Sequence, residues 1–471
     1  MGAISKIYAF SGRPLRIVGV NAYGVRNRLR LREWERRLEQ LEYTERLKRD
    51  DQVRLVREKL KDIISFAIRN VPFYRKFSSL LVKIDGADIF EILEQLPPVG
   101  KEDINSEPEA FLSFSHGKHV ISRTSGTTGT PFYVHMDRDT FVLGEALGWR
   151  RTRWAGYEKA DWIARLVGDP IIPLRIKKPK KPWIISRPDR RIYFSTFHLS
   201  KDVAVKIGEL LNRKKPSYIM GYPSSLEILC SYLEESGFES GWKPKHILFS
   251  SEPMYAHQER IIRRVFQSDI RGFYGSGEKA VSAAQCEKGT YHLSLVDGYL
   301  EGQFGIMENR QPGLVTTLTN RVMPLIRYRI GDVIRAEPSL MCECGRTLPA
   351  ISPVITKQED WVITPSGRKI APSAIVWAFI HQDISGINKA QVVQEEAASI
   401  KVYVDADESS FLKYKTILKE SLQKVFFGEM DVEIIRTDRI EVMRSGKSRF
   451  VVNKLRSGFP DAAIDAESQN G

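Results

Sequence analysis

The chain has 471 residues, of which 42% are hydrophobic and 28% are charged, and its formal net charge is +14. This composition is typical of a folded globular protein and argues against a disordered one, and the length suits one large domain and one small domain. The sequence contains no run of about 18 apolar residues, so we predict no membrane span. Arg13, Pro14 and Arg16 interrupt the N-terminal apolar stretch that a signal peptide would need. We therefore expect a cytoplasmic protein.

The first 75 residues form a basic helical segment. Irregular sequence up to about residue 24 is followed by charges at three- and four-residue spacing, which predict one long helix over residues 32–67. Pro72 predicts the end of this helix.

From residue 199 onward, helical and strand patterns alternate. The helical patterns cover residues 201–211 and 256–266, and the strand patterns cover residues 218–220, 246–249 and 270–274. Ser224 or Ser225 is a natural N-cap for a further helix. The alternation predicts an α/β fold with a mostly parallel sheet that helices cover and with ligands at the carboxyl ends of the strands.

The remaining sequence predicts a β-subdomain and then a second, smaller domain. Short alternating strands over residues 291–335 precede a unit with strands near residues 400–404 and 432–435 and helices on either side of the first strand. We expect an N-terminal domain over residues 1–356, a small α+β domain over residues 357–458 and a flexible tail over residues 459–471.

Residues 122–131 concentrate hydroxyl side chains and glycines between two strand patterns, which predicts a loop that closes a hairpin. Gly126 and Gly129 allow backbone N–H groups to converge, and the hydroxyls add donors, so the loop suits a polyanion such as a triphosphate. The alternative is a polar solvated turn. The Walker A ending Gly-Lys-Ser/Thr is missing.

Three further segments carry candidate chemistry. Tyr274 and Glu278 follow a predicted strand, where an aromatic face can meet a purine and a carboxylate can bind Mg²⁺. Asp332 is a carboxylate that follows Gly331, and Lys447 lies on a glycine-bearing turn from which it can reach a cleft. Each segment alone is also compatible with an ordinary surface turn.

Taken in chain order, these segments resemble the adenylate-forming superfamily of acyl-CoA synthetases, adenylation domains and luciferases. The resemblance makes Lys447, Glu278 and Thr128 catalytic, with Glu278 as the Mg²⁺ carboxylate, and assigns ATP binding to Thr124, Ser125, Gly126, Thr127, Thr128, Gly129, Ser251, Glu252, Pro253, Tyr274, Gly275 and Asp332. In these roles Tyr274 stacks on adenine and Asp332 binds ribose. By position alone, Tyr222, Pro223 and Ser224 are candidates for the acid pocket.

Residues 71–74, 326–332 and 342–349 narrow the resemblance to the phenylacetate-CoA ligase branch and its CapK-like group, which is associated with capsule and exopolysaccharide biosynthesis. This branch implies a mobile C-terminal domain and an ATP-dependent ligase that forms an acyl-adenylate and passes the acyl group to CoA, or alternatively to an amine such as an amino sugar. The hinge departs from the family pattern, because Thr356 and Lys357 replace Gly and Arg. This difference puts the transfer half-reaction in question.

The cysteines suggest a metal site independently of that resemblance. Cys342 and Cys344 lie on one turn, and Cys286 and His292 follow the Glu278 loop. Three thiolates and one imidazole are a complete tetrahedral set for a structural Zn²⁺, although the Cys-x-Cys spacing is tighter than usual; the alternative is reduced cysteines and a surface histidine. Cys230 lies in an apolar helical pattern and is expected in the core.

Residues 175–181 form a proline-broken basic loop that suits phosphates, an anionic membrane surface or an acidic polymer; its alternative is a solvated loop. A rival to the ligase is therefore a nucleotide-binding protein without catalysis that the loop recruits to a membrane. The presence of both Glu278 and Lys447 favours the ligase. No feature predicts specific nucleic-acid binding, and the oligomeric state stays open.

Overall fold

The computed structural model describes residues 12–114, 117–124, 132–168, 171–305, 313–332, 334–352, 361–380, 387–437, 440 and 450–456. They form two compact units, one from the described residues up to 352 and one from those between 361 and 456. The predicted boundary at residue 356 and the predicted tail lie outside the described residues, so both stay predictions.

The N-terminal segment contains two long helices where the sequence predicted one. Helix α1 spans Arg13–Glu39 and helix α2 spans Arg49–Asn70, with a 3₁₀ turn at Glu42–Arg46 between them. The prediction of irregular sequence to residue 24 is also wrong, because Pro14 lies in the first turn of α1, where its missing N–H costs nothing. Helix α2 ends at Asn70, before Pro72, as predicted.

The described residues of the first unit form seven more α-helices after α2. These are α3 (Pro72–Arg75), α4 (Ile89–Glu94), α5 (Lys101–Ser106), α6 (Arg138–Trp154), α7 (Lys201–Lys214), α8 (Pro223–Glu235) and α9 (Ala256–Phe266). Leu60 of α2, Tyr74 of α3 and Phe90 of α4 are buried in one apolar cluster with Tyr299. None of the described helices is both long enough and apolar enough to cross a membrane.

In chain order, the strands of the first unit are β1 (Val120–Thr124), β2 (Phe132–Met136), β3 (Ile163–Leu166), β4 (Trp183–Ser186), β5 (Arg191–Phe194), β6 (Tyr218–Gly221), β7 (His246–Ser250), β8 (Asp269–Gly275), β9 (Ser282–Gln285), β10 (Tyr291–Leu293), β11 (Gly298–Leu300), β12 (Leu314–Thr317), β13 (Tyr328–Arg329), β14 (Ala336–Glu337) and β15 (Ala350–Ile351). Strands β1 and β2 pair antiparallel, which confirms the predicted hairpin.

The described strands of the main sheet number ten, in the order β14-β15-β10-β9-β8-β7-β6-β3-β5-β4. Its centre, from β8 through β7, β6 and β3 to β5, is parallel, and helices α7, α8 and α9 lie between consecutive central strands in the chain. Strands β11, β12 and β13 form a separate antiparallel sheet. The predicted α/β class and β-subdomain are confirmed.

The second unit is an α+β fold, as predicted. Its elements are β16 (Val362–Ile363), β17 (Lys369–Ile370), α10 (Pro372–Ile380), β18 (Ile387–Glu396), β19 (Ser399–Ala406), α11 (Glu408–Val425), β20 (Asp431–Arg436) and β21 (Val451–Asn453). The larger sheet has the order β20-β19-β18-β21. Helix α11 links the parallel strands β19 and β20, and the Asp407 carboxylate caps it by accepting from the Ser410 N–H at 2.9 Å.

Candidate functional site

The predicted ligand-binding loops follow three neighbouring parallel strands of the main sheet. In the register, Gly221 at the end of β6 lies opposite Phe249 of β7, and Ser250 lies opposite Phe273 of β8. Parallel pairing therefore brings the carboxyl ends of β6, β7 and β8 to one edge of the sheet. Ligands bind at such edges in open α/β sheets.

Glu252, in the loop after β7, caps the helix that follows β6. Its two carboxylate oxygens accept from the Ser224 backbone N–H and from the Ser224 hydroxyl, each at 2.9 Å. The N-cap position itself is Tyr222, and Pro223 occupies the first turn, so the prediction of Ser224 or Ser225 as N-cap is wrong. The Glu252 carboxylate, which comes from a different loop, caps the helix instead. The contact joins Glu252, a predicted nucleotide-binding residue, to Ser224, a predicted acid-pocket residue.

Tyr274 and Asp332 meet although 58 positions separate them. The Tyr274 hydroxyl donates to Asp332 Oδ2 at 3.0 Å. Burial, and then the negative charge of Asp332, raise the pKa of Tyr274 well above its usual value, so the hydroxyl stays a donor. The two residues expected to hold adenine and ribose are therefore joined directly.

Glu278 is a buried carboxylate beside a buried tyrosine. Its side chain is 8% exposed, and Oε1 accepts from the Tyr328 hydroxyl at 3.1 Å. Burial raises the pKa of Glu278, while the hydrogen bond from Tyr328 acts in the opposite direction. The ionised form of Glu278 is therefore destabilised by burial, and a nearby cation would offset part of this cost.

The structure adds groups around Glu278 that our sequence analysis did not identify. The ring of Phe132, the first residue of β2, stacks on Tyr328 with centroids 5.8 Å apart, which brings the hairpin to the carboxylate. Burial lowers the pKa of Lys101, and the charge of Glu278 opposes that shift. Lys101 therefore lies within electrostatic reach of Glu278, and only its position after a proline-rich stretch hinted at a role.

Arg327 holds the Tyr328 backbone in place. Its guanidinium donates to both oxygens of Glu301, at 2.8 and 3.2 Å, and Nη1 donates to the Glu94 and Leu96 carbonyls. The residue has φ of 51°, in the left-handed region that side chains rarely adopt. These contacts of Arg327 position Tyr328. In the sequence, only the motif at residues 326–332 indicated that this segment belongs to the site.

The remaining predicted site residues divide into four that are described and six that are not. Thr124 ends strand β1, whereas Ser125, Gly126, Thr127, Thr128, Gly129 and Lys447 lie outside the described residues, as does the hinge at 356–360. In the loop after β7, Ser251 has φ of 72° and Pro253 is half-buried; Gly275 ends β8.

Cys286, His292, Cys342 and Cys344 converge in one cluster, in which the possible ligand atoms all lie within 4.8 Å of one another. Cys286 Sγ is 3.6 Å from Cys342 Sγ, and Cys344 Sγ is 3.3 Å from His292 Nε2. Two thiolates on a tetrahedral Zn²⁺ with Zn–S bonds of about 2.3 Å lie roughly 3.8 Å apart. The donor set and its spacing therefore fit Zn²⁺.

The surroundings of the cluster orient its histidine. His292 Nδ1 donates to the Leu348 carbonyl at 3.1 Å, which leaves Nε2 with a lone pair toward the sulfurs. Strand β10 carries His292 and pairs with β15, which follows the Cys342 turn. The Lys288 N–H donates to Cys286 Sγ at 3.4 Å. Cys230, by contrast, is fully buried in the core, as predicted.

Comparison with known proteins identifies relatives. Residues 362–454 match the CapK C-terminal domain. The chain is 23% identical to Protein CapK of Staphylococcus aureus over 429 residues, covering 88% of this chain and 93% of the relative. It is 22% identical to the phenylacetate-coenzyme A ligase of Aromatoleum evansii over 444 residues, covering 88% of this chain and 97% of that enzyme.

A solved structure shares the fold. The crystal structure of a 2-hydroxyisobutyryl-CoA ligase in complex with 2-HIB-AMP and CoA superposes with a TM-score of 0.53 and 18% identity, covering 87% of this chain and 91% of that one. The chain is thus similar in sequence to CapK and to phenylacetate-coenzyme A ligases, and it shares the fold of a 2-hydroxyisobutyryl-CoA ligase.

Proposed function

We propose that this protein is an ATP-dependent, AMP-forming acid ligase that converts a carboxylic acid to an acyl-adenylate and then to a CoA thioester. The observation that carries the proposal is that two segments meet through two hydrogen bonds: the end of β8 and the loop after it carry Tyr274 and Glu278, and β13 and the loop after it carry Tyr328 and Asp332. Tyr274 donates to Asp332 at 3.0 Å, and Tyr328 donates to Glu278 at 3.1 Å. The similarity to phenylacetate-coenzyme A ligases supports the same reaction class.

In the first step, an oxygen of the substrate carboxylate forms a bond to the α-phosphorus of ATP, and the bond to pyrophosphate breaks. In the second step, the CoA sulfur attacks the acyl carbon, AMP leaves, and the thiol proton is released. The protein contributes positioning and charge neutralisation in both steps.

Each described residue has a distinct part in the first step. Asp332 accepts hydrogen bonds from the ribose hydroxyls, and Tyr274 orients Asp332 and offers its ring to adenine. Glu278 would hold Mg²⁺, which when bound neutralises charge on the phosphates. By resemblance, Thr128 and the rest of the phosphate loop have the role of binding the phosphates, and Lys447 has the role of stabilising charge as the acyl-adenylate forms.

In this proposal, Cys286, His292, Cys342 and Cys344 would hold one structural Zn²⁺ as its four ligands. All four positions are taken by protein, so the ion serves the fold and not the reaction. It would hold the turn after β9 against the turn before β15.

The acceptor is CoA in the leading form of the proposal, and an amine such as an amino sugar is the alternative. In this proposal the reaction belongs to polysaccharide or cell-surface biosynthesis, because the sequence motifs resemble those of the CapK-like group. An isolated transfer assay, with acyl-adenylate offered CoA or amino sugars, separates the two acceptors.

The test is ATP–pyrophosphate exchange with a panel of aryl, fatty and amino acids, comparing the wild type with Lys447→Ala. Exchange with one acid class that falls at least about 100-fold in the variant would establish adenylation, because a lost transition-state charge partner costs about 3 kcal/mol or more. Lys424→Ala in α11 is the matched lysine control. ATP binding without exchange for any acid would favour the non-catalytic nucleotide-binding protein instead.

A further inference from the structure

Helix α1 turns apolar side chains away from the protein. Leu15, Val18, Val25 and Leu29 are 64%, 64%, 51% and 61% exposed. With Ala22, which is also exposed, they recur at three- and four-residue intervals and so form one stripe along the helix. We call these five residues the outer stripe. An apolar stripe on a surface helix ordinarily faces the core, so its exposure here needs an explanation.

The opposite face of α1 fixes this orientation. Val20 packs in an apolar cluster with Ile171, Ile172, Ile184 and Tyr193, and a Cβ on Gly24 would overlap Ser186 Oγ. Nearby, Asn27 Nδ2 donates to Asp189 Oδ2 and to the Tyr193 hydroxyl, each at 3.2 Å. The helix therefore cannot turn its outer stripe inward without losing these buried contacts.

The charged residues in the part of α1 that carries the stripe are all arginines. Residues 13–32 contain no acidic residue and include six arginines, at positions 13, 16, 26, 28, 30 and 32. Arg26, Arg28 and Arg32 are exposed on the flanks of the stripe. A helix of this kind, apolar in a stripe and basic at its edges, is the pattern of a helix that lies in a membrane interface.

The basic loop adjoins the start of the same helix. Arg13 donates to the Lys181 carbonyl at 3.0 Å and to the Trp183 carbonyl at 3.2 Å. The loop's four lysines are exposed; they are Lys177, Lys178, Lys180 and Lys181. Two cationic segments separated by about 150 residues are thus held next to each other.

We propose that the outer stripe of α1 and the lysines of the basic loop bind the surface of a membrane that contains anionic lipids. The apolar side chains enter the boundary between headgroups and acyl chains, and the arginines and lysines contact lipid phosphates. Each basic side chain near such a surface adds to the attraction. A second copy of the chain is a poorer occupant, because two such helices would bring like charges together.

The experiment is co-sedimentation of the full chain with vesicles of phosphatidylcholine and phosphatidylglycerol at 3:1, and with vesicles of phosphatidylcholine alone. The stripe variant is Leu15→Gln, Val18→Gln, Val25→Gln and Leu29→Gln, since glutamine keeps helix propensity while removing apolar surface. The charge variant is Lys177→Gln, Lys178→Gln, Lys180→Gln and Lys181→Gln. The matched control is Val82→Gln with Leu412→Gln, which are exposed elsewhere at 89% and 64%.

We expect the wild type and the control to bind the anionic vesicles, and the stripe and charge variants each to bind at least about tenfold more weakly. Binding should fall as salt rises, and ATP–pyrophosphate exchange should be unchanged in both variants. Equal binding by wild type and stripe variant, or no binding to anionic vesicles by folded wild type, would overturn the proposal. A wild type that dimerises in light scattering and loses the dimer in the stripe variant would assign the surface to a second copy instead.

Discussion

The Tyr274 hydroxyl donates to the Asp332 carboxylate at 3.0 Å, so a residue in strand β8 of the main sheet is hydrogen-bonded to a residue just after β13 of the separate antiparallel sheet. The bond engages Oδ2 of the carboxylate that we expect to bind ribose. In the proposed function, nucleotide binding therefore depends on a contact between β8 of the main sheet and the segment after β13.

Removing the Asp332 carboxylate should weaken ATP binding without unfolding the protein. We expect Asp332→Ala to raise the KM for ATP about 10- to 100-fold, because hydrogen bonds to a charged group contribute roughly 1.5–3 kcal/mol. Tyr274→Phe should have a smaller effect, and the double variant should show less than the sum, since both act through one contact. Additive losses in exchange kinetics would contradict the coupling.

Glu278 and Tyr328 should act together in the dependence on Mg²⁺. We expect Glu278→Gln to reduce exchange at least about 100-fold, and Tyr328→Phe to raise the Mg²⁺ concentration needed for half-maximal exchange severalfold, because one donor to the carboxylate is lost. Tyr74→Phe is the control: its buried hydroxyl accepts from the Ile326 N–H at 3.3 Å, so it should lower stability alone. An unchanged Mg²⁺ profile in Tyr328→Phe would count against this pairing.

The cysteine and histidine cluster should contain one Zn²⁺ per chain by elemental analysis. Cys344→Ser should lose the metal and lower the thermal midpoint by several degrees, because a structural zinc site contributes directly to folding. Cys230→Ser, a buried cysteine outside the cluster, should keep the full metal content. Metal-free wild type that folds with the same midpoint would refute the site.

Asp297 should make stability depend on pH. The residue is 3% exposed, and burial raises its pKa although Ser282 donates to Oδ2 at 2.6 Å. A raised pKa means that the folded state favours the protonated carboxyl, so this contribution is present below the usual aspartate range and is lost as pH rises through the folded pKa. The thermal midpoint of Asp297→Asn, measured relative to that of the wild type, should therefore increase as the pH is raised from 4 to 8. A constant difference across that range would show that ionisation of Asp297 is not involved.

Local sequence determined the regular elements of the protein. The helix at 256–266 was predicted with its observed bounds, and the strands after residues 217, 245 and 269 were recognised within a residue or two, because apolar periodicity and turn residues are local signals. Residue types alone also predicted that Cys286, His292, Cys342 and Cys344 form one set, because thiolates and an imidazole are the usual ligands of a structural Zn²⁺.

Contacts between distant segments decided what the sequence could not. The helix predicted over 32–67 is broken beside Thr347, which donates from its N–H to the Glu45 carbonyl at 2.9 Å and from its hydroxyl to Leu47, 300 positions away. The cap of α8 comes from Glu252 instead of a local serine. Likewise, the pairing of β10 with β15 brings His292 to the Cys342 turn. Helix ends, caps and ligand sets need partners in space, and only the packed chain supplies these partners.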